Sequence, residues 1–167
     1  MREQRIVVDD MAQPIPSEGE VLVKTLACGI CGSDLHALKH GHELVQTSQE
    51  TGGSFSMDLA KDVVLGHEFC AEILDHGPGT AKKLKPGTRV CSYPATYHHG
   101  QPSAIGFSNT VPGGFAQNML LTESLLLEVP NGLPFTHAAL TEPMAVGLHA
   151  VRTVSYTHLR AHETKAN

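Results

Sequence analysis

A mainly β fold, a partly open β-barrel with a short helix at its C-terminal end, is what this sequence predicts. Three observations carry the prediction. Short β-branched, partly alternating segments fill the first two-thirds of the chain, glycine and proline punctuate them, and helical patterning starts only near Thr136.

Arg5–Val8 and Glu20–Ala27 read as the first two strands, with a turn at Ser17-Glu18-Gly19 leading into the second. Ser33 is placed as the N-cap of a short helix, Leu35 to His40. Residues 40–60 are polar, contain glycine and show no period. They are expected to form a long loop bordering the mouth of a site, with Phe55, Met57 and Leu59 as its apolar members. Phe69–Leu74 and Thr88–Ser92 read as strands, divided by the breakers His76-Gly77-Pro78-Gly79 and Lys85-Pro86-Gly87. Residues 94–114 read as a second loop, followed by strands at Phe115–Leu121 and Leu125–Val129 and a turn at Pro130-Asn131-Gly132. Helix is expected from Thr136 through about Val151, broken at Glu142 because Pro143 pushes the residue before it out of the α region. There is no internal repeat.

A chain of 167 residues holds one domain with a proper core. Apolar residues make up 41% but aromatics only 5%, without Trp, so the core is expected to be aliphatic. The 17 Asp and Glu against 12 Lys and Arg leave a net charge of −5, which argues against nucleic acid and an anionic membrane surface as partners. The basic cluster Lys82, Lys83, Lys85 and Arg89 surrounds Pro86-Gly87 and reads as a solvated turn. Met1–Asp10 lacks the apolar stretch of a signal peptide, and no run approaches a membrane span. Four cysteines without a secretion signal point to a reducing cytoplasm, where thiols bind metal or pack as small hydrophobes.

The chemistry is concentrated in Cys-Gly-Ile-Cys-Gly-Ser-Asp-Leu-His at 28–36 and Gly-His-Glu at 66–68. Together they offer a thiolate, an imidazole and a carboxylate, ligands that zinc accepts in a catalytic site with one position left open. Cys28 and Cys31 also fit a redox dithiol at a helix N-terminus, half of a zinc ribbon, or two buried thiols at a tight turn. The element order is not thioredoxin-like, and Cys70 and Cys91 are too far apart to complete a ribbon. Ser33, Asp34 and His36 downstream favour Cys31 as a ligand, whereas Cys28, Cys70 and Cys91 are expected to stay out of the site. His67 is either a ligand or a core histidine entering a strand. Strand alternation sends His67 and Glu68 to opposite faces unless Gly66 relaxes the geometry. The pairs His36–His40 and His98–His99 compete less well, having no carboxylate at useful spacing. Glu142 is either a charge favoured by the dipole of the helix that follows or a carboxylate aimed into the site. His149 reads as a packed core residue.

Four motifs stand in one order: Gly-Ile-Cys-Gly-Ser-Asp-Leu-His, Gly-His-Glu-Phe, Lys-Pro-Gly-Thr-Arg-Val and Thr-Glu-Pro-Met-Ala-Val-Gly-Leu-His-Ala. In them, residues 20–36, 62–74, 85–91 and 138–151 resemble the catalytic domain of the zinc-dependent medium-chain alcohol dehydrogenases, and the resemblance runs to about residue 152. It implies a GroES-like barrel over residues 1–152 and one catalytic Zn2+ ion. Cys31 and His67 match the first two zinc ligands. Glu68 matches a residue that ligates zinc in some members and sits close by in others, and Glu142 a carboxylate that supplies or exchanges for the third ligand. Ser33 matches the hydroxyl that passes a proton from the bound alcohol, His36 the distal relay, and Asp34 the carboxylate that orients the His67 imidazole. The implied activity is hydride transfer from a small-molecule alcohol or polyol to NAD or NADP, in a full-length enzyme that is a homo-oligomer.

Two departures qualify the resemblance. Residues 92–114 hold no cysteine, so the lobe that carries a second, structural zinc in many members is not expected. No G-x-G-x-x-G stands between a strand and a helix, so a nicotinamide-binding domain is not expected within these residues. The tail 153–167 is polar and without apolar period, and is expected to be disordered and foreign to the family. The resulting expectation is the zinc-binding catalytic half of an NAD(P)-dependent alcohol or polyol dehydrogenase, cut from a longer gene and inactive alone. Met144, Val146, Leu148 and Val151 of the last helix should then lie in an exposed apolar patch. The rival reading is a stand-alone β-barrel interaction module in which Cys28 and Cys31 act as a thiol switch.

Overall fold

Val21-Leu22-Val23 is a continuous apolar run, the mark of a strand covered on both faces. In the computed structural model, which describes residues 1–53, 55 and 57–154, it lies in an interior strand of the main sheet. The elements are β1 (Glu20–Gly29), α1 (Gly32–Thr51), β2 (Glu68–His76), β3 (Arg89–Ser92), β4 (Ala95–His98), β5 (Gln101–Ala104), β6 (Asn118–Thr122), β7 (Leu126–Glu128), α2 (Phe135–Ala138) and α3 (Thr141–Val154). Five strands pair antiparallel in the order β6-β1-β2-β3-β7, and β4-β5 form a separate hairpin. The sheet is not closed on itself, so the mainly β, partly open barrel expected from the punctuation is what the chain forms.

Period-two alternation builds the core. Val21 and Val23, Phe69, Ala71 and Ile73, and Met119 and Leu121 point to one face and enclose Val90, Ile105 and Val111. The opposite face carries small residues, Ala27, Cys70 and Cys91, against which α2 packs through Ala138 and Ala139. A third cluster, Ala37, Met57, Val63, Leu65 and Phe107, lies under α1.

Three expectations are corrected. Arg5–Val8 is not a strand: it has no partner beyond an isolated Arg2–Arg5 bridge, and Ile6, Val7 and Val8 are exposed. β-propensity without a neighbouring edge does not make a strand. The short helix and long loop over 35–60 give way to α1, which runs to Thr51 with a kink at His40. Its buried stripe is Asp34, Ala37, Gly41 and Ser48, helical in spacing but made of small and polar residues, so apolar periodicity did not reveal it. The loop over 94–114 contains the β4-β5 hairpin, whose turn has His99 and Gly100 at positive φ. The hairpin docks on β6, where the Thr96 and Thr122 hydroxyls lie 2.8 Å apart.

At the C-terminal end, α2 and α3 are separated by Ala139 and Leu140, and Glu142 lies inside the first turn of α3 rather than at a break. Pro143 is tolerated there because first-turn N–H groups have no intrahelical partner. None of the α3 residues is buried: Met144, Val146, Leu148 and Val151 are exposed, as expected, and so is His149, which is not a core residue. Of the tail expected to be disordered, residues 155–167 lie outside the described residues, and Thr153 and Val154 complete α3. Among the described residues no helix is long and apolar enough to cross a membrane.

Candidate metal centre

Two backbone features bring the motifs together. Thr25 faces Ala71 but Ala27 faces Cys70, so a bulge at Leu26 shifts the register of β1 on β2. Gly29, rather than Cys28, therefore ends opposite Glu68. The second feature is Gly66, whose φ of +98° suits glycine and turns the chain just ahead of β2. His67 consequently lies outside the regular strand, and the alternation that would separate it from Glu68 does not apply.

Asp34 ties these features to α1. Cys31 is the N-cap and its N–H donates to Asp34 Oδ2 at 2.9 Å, while the Gly66 N–H donates to Oδ1 at 3.1 Å. Ser33 is the second residue of the helix, so its reading as the N-cap is corrected. The result is convergence: the ligand atoms of Cys31, His67 and Glu68 all lie within 4.8 Å of one another. His67 and Glu68 are buried and Cys31 is half-buried.

The electrostatics follow from burial and neighbours. Burial pushes the Asp34 carboxyl up, but His67 and the Cys31 and Gly66 N–H groups outweigh it and hold the acid below its ordinary value. Asp34, with Cys31 adding to it, outweighs burial at His67 and pushes the imidazole up to about 9. His67 Nδ1 stands 3.5 Å from Asp34 Oδ1, an ion-pair distance too long for a formed hydrogen bond, and this buried nitrogen has no hydrogen-bond partner among the described residues. Ser33 Oγ is 3.3 Å from Nε2 on the other side of the ring.

Cys28 is not part of the cluster. Burial, with the Asp34 carboxylate adding to it, pushes its thiol up to about 12. Cys70 and Cys91 lie in the separate cluster under α2.

The donor set fits zinc: one sulfur, one nitrogen and one oxygen with room beside them. No hydrogen bond among the described residues occupies the Glu68 carboxylate, so its oxygens are free to take a cation.

A cleft of about 670 Å³ opens over Ser33 and His67, a size that suits a small molecule. Phe55, Phe107 and Tyr93 form its aromatic wall, the β4-β5 hairpin supplies Ala95 and Ser103, and Glu142 reaches it from α3. Glu142 is not among the three residues that converge. Of the three apolar residues expected to border the site only Phe55 lines the cleft; Met57 and Leu59 pack under α1. His36 is exposed, its ring 5.1 Å from that of His40, and no hydrogen bond joins it to Ser33. Sequence reasoning missed Phe107, whose ring lies 5.2 Å from the His67 imidazole with Phe55 behind it. One aromatic in a Gly- and Ser-rich stretch carries no signal of its own.

Residues 17–131 match the family model described as the alcohol dehydrogenase GroES-like domain. The (R,R)-butanediol dehydrogenase of Bacillus subtilis is 33% identical over 90% of this chain and 45% of its own length. The sorbitol dehydrogenase of Gallus gallus is 32% identical over 87% of this chain and 41% of its own. A structure described as a zinc-binding dehydrogenase from Sinorhizobium meliloti, bound to NADP, superposes with a TM-score of 0.70 at 30% identity, covering 90% of this chain and 43% of that one. The chain thus spans less than half the length of these relatives.

Proposed function

Because the chain belongs to the alcohol dehydrogenase GroES-like domain family, we propose that it supplies the zinc-binding catalytic part of an NAD- or NADP-linked dehydrogenase of small-molecule alcohols or polyols. The observation that carries this reading is the convergence of Cys31, His67 and the unpartnered Glu68 carboxylate beneath a cleft of substrate size. The polyol class rests on relatives named for butanediol and sorbitol.

Cys31, His67 and Glu68 would hold the metal, with Glu142, which lines the same cleft, as the carboxylate that would exchange. Zinc bound there supplies a Lewis acid that makes an alcohol more acidic. Asp34 fixes the imidazole: its two oxygens hold both the start of α1 and the turn before His67. Ser33, at the cleft and beside the His67 ring, would accept a proton from an alcohol oxygen while giving up its own. His36, three residues on along α1 and open to solvent, is the group through which that proton would leave. Phe55 and Phe107 exclude water from the inner wall of the cleft. The four thiols are free of disulfides, which supports a cytoplasmic setting, and a homo-oligomer of the whole enzyme belongs to the same reading.

Metal analysis of the purified chain tests it. One zinc per chain, removable by chelator and restored by dialysis, is the expected result. A metal-free chain with a reversible Cys28–Cys31 disulfide would sink the reading in favour of an interaction module.

A further inference from the structure

Gly29 is opposite Glu68 because of the bulge at Leu26; an unbulged β1 would bring Cys28 there instead. The backbone itself does not ask for glycine at this position, since the φ of Gly29 is not left-handed. Space does. A Cβ built on Gly29 would collide with Glu68 Oε2 and sit 3.2 Å from Glu68 Cβ and 3.4 Å from its Cδ. Glu68 therefore bends back across the bare Cα of its strand partner, and this fold of the side chain is what carries its carboxylate to Cys31 and His67.

Gly32, three residues further along the same motif, is different. A Cβ there meets nothing within 4 Å, and its φ is also ordinary. Two glycines flank the cysteine, and only one leaves room for a ligand.

We propose that Gly29 is a positioning residue for the metal centre: the absence of its side chain is the space that admits the Glu68 carboxylate as third ligand. The proposal rests on the zinc reading above. The atoms a Cβ would strike belong mainly to the far end of a flexible side chain, so a substituted chain keeps its sheet and moves Glu68. Gly29→Ala thus acts on the metal rather than on the fold.

Titration of the metal-free full chain with cobalt(II), which reports a Cys31 thiolate by its charge-transfer band and ligand geometry by its visible spectrum, tests this. Gly29→Ala should bind cobalt about 10–100-fold more weakly, the range seen when a ligand loses its support, with an altered visible spectrum. Gly32→Ala should match the wild type. In a Glu68→Ala background, Gly29→Ala should add nothing, because the atom it displaces is already gone. The inference is overturned if Gly29→Ala binds like the wild type while Glu68→Ala is weakened, or if the two losses add. Should Gly29→Ala fail to fold, folding and Glu68→Ala-like affinity of the double variant support the proposal, and failure of both overturns it. A wild-type chain that takes up no cobalt defeats the zinc reading as well, which separates the two failures.

Discussion

An acid stands at each end of β1, Glu20 on the strand itself and Glu68 on the facing end of β2, and the chain treats them in opposite ways. At the start of the strand Glu20 is fully buried and fully served: Oε2 accepts from the Ser17 N–H at 2.8 Å and the Ser17 hydroxyl at 2.6 Å, and Oε1 lies 2.8 Å from His98 Nδ1. Burial pushes this acid up, yet those partners hold it below its ordinary value. At the end of the strand Glu68 lies across Gly29 without a hydrogen bond. The oxygens of Glu20 are taken up by the chain's own donors, whereas those of Glu68 stay free beside Cys31 and His67 for a ligand from outside. Two paired strands thus carry a structural acid and a candidate ligand acid, told apart by their partners.

The largest expected effect concerns the bare end. His67→Ala or Cys31→Ser should reduce zinc affinity by more than the roughly 100-fold that losing an outer partner can cost, read by competition with a chromophoric chelator. Zinc retained at near wild-type affinity in either variant would place the metal elsewhere and remove the contrast.

The next effect sets the two ends directly against each other. In the metal-free chain, Glu20→Gln should cost about 1–3 kcal/mol, because it disturbs a buried acceptor that serves three donors. Glu68→Gln should change stability by no more than about 0.5 kcal/mol, since no hydrogen bond or ion pair among the described residues depends on its charge. Urea unfolding of both variants is the measurement; equal losses would mean that Glu68 is as well satisfied as Glu20. The pH dependence sharpens the point. The folded-state value of Glu20 is lowered, so its stabilisation is present above its ordinary value of 4.5 and lost as pH falls through the lowered value. The loss of wild-type stability below pH 4.5 should therefore be shallower in Glu20→Gln.

Much of this was legible in the residues, for identifiable reasons. Every strand of the main sheet was marked by a short apolar run, since burial against a core leaves a local signal. α1 was truncated because its buried face is Asp34, Ala37, Gly41 and Ser48, residues that pack close without registering as apolar. The β4-β5 hairpin was hidden in a segment whose composition reads as loop. At the site, residue types and spacing picked out Cys31, His67 and Glu68 together. What sequence left open was how adjacent residues reach one point. The answer lies in a bulge at Leu26 and a left-handed turn at Gly66, conformations that no hydrophobic pattern encodes. Phe107 was invisible for the same reason: its place beside His67 is set by a loop returning from elsewhere in the chain.

The smallest expected effect tests the other nominated carboxylate. Glu142 sits in the first turn of α3, a helix with no buried residue, and reaches the cleft without joining the cluster. Its position is set by a helix resting lightly on the sheet, whereas that of Glu68 is set by strand pairing. Glu142→Gln should therefore change zinc affinity by less than the roughly tenfold that marks a supporting partner. On the same helix, Leu148 is 53% exposed, so Leu148→Lys should move stability by no more than about 0.5 kcal/mol. Chelator competition and urea unfolding read the two changes. A tenfold or larger loss in Glu142→Gln would show that α3 swings its carboxylate onto the metal in solution, making Glu68 and Glu142 alternates at one coordination position instead of a ligand and a bystander.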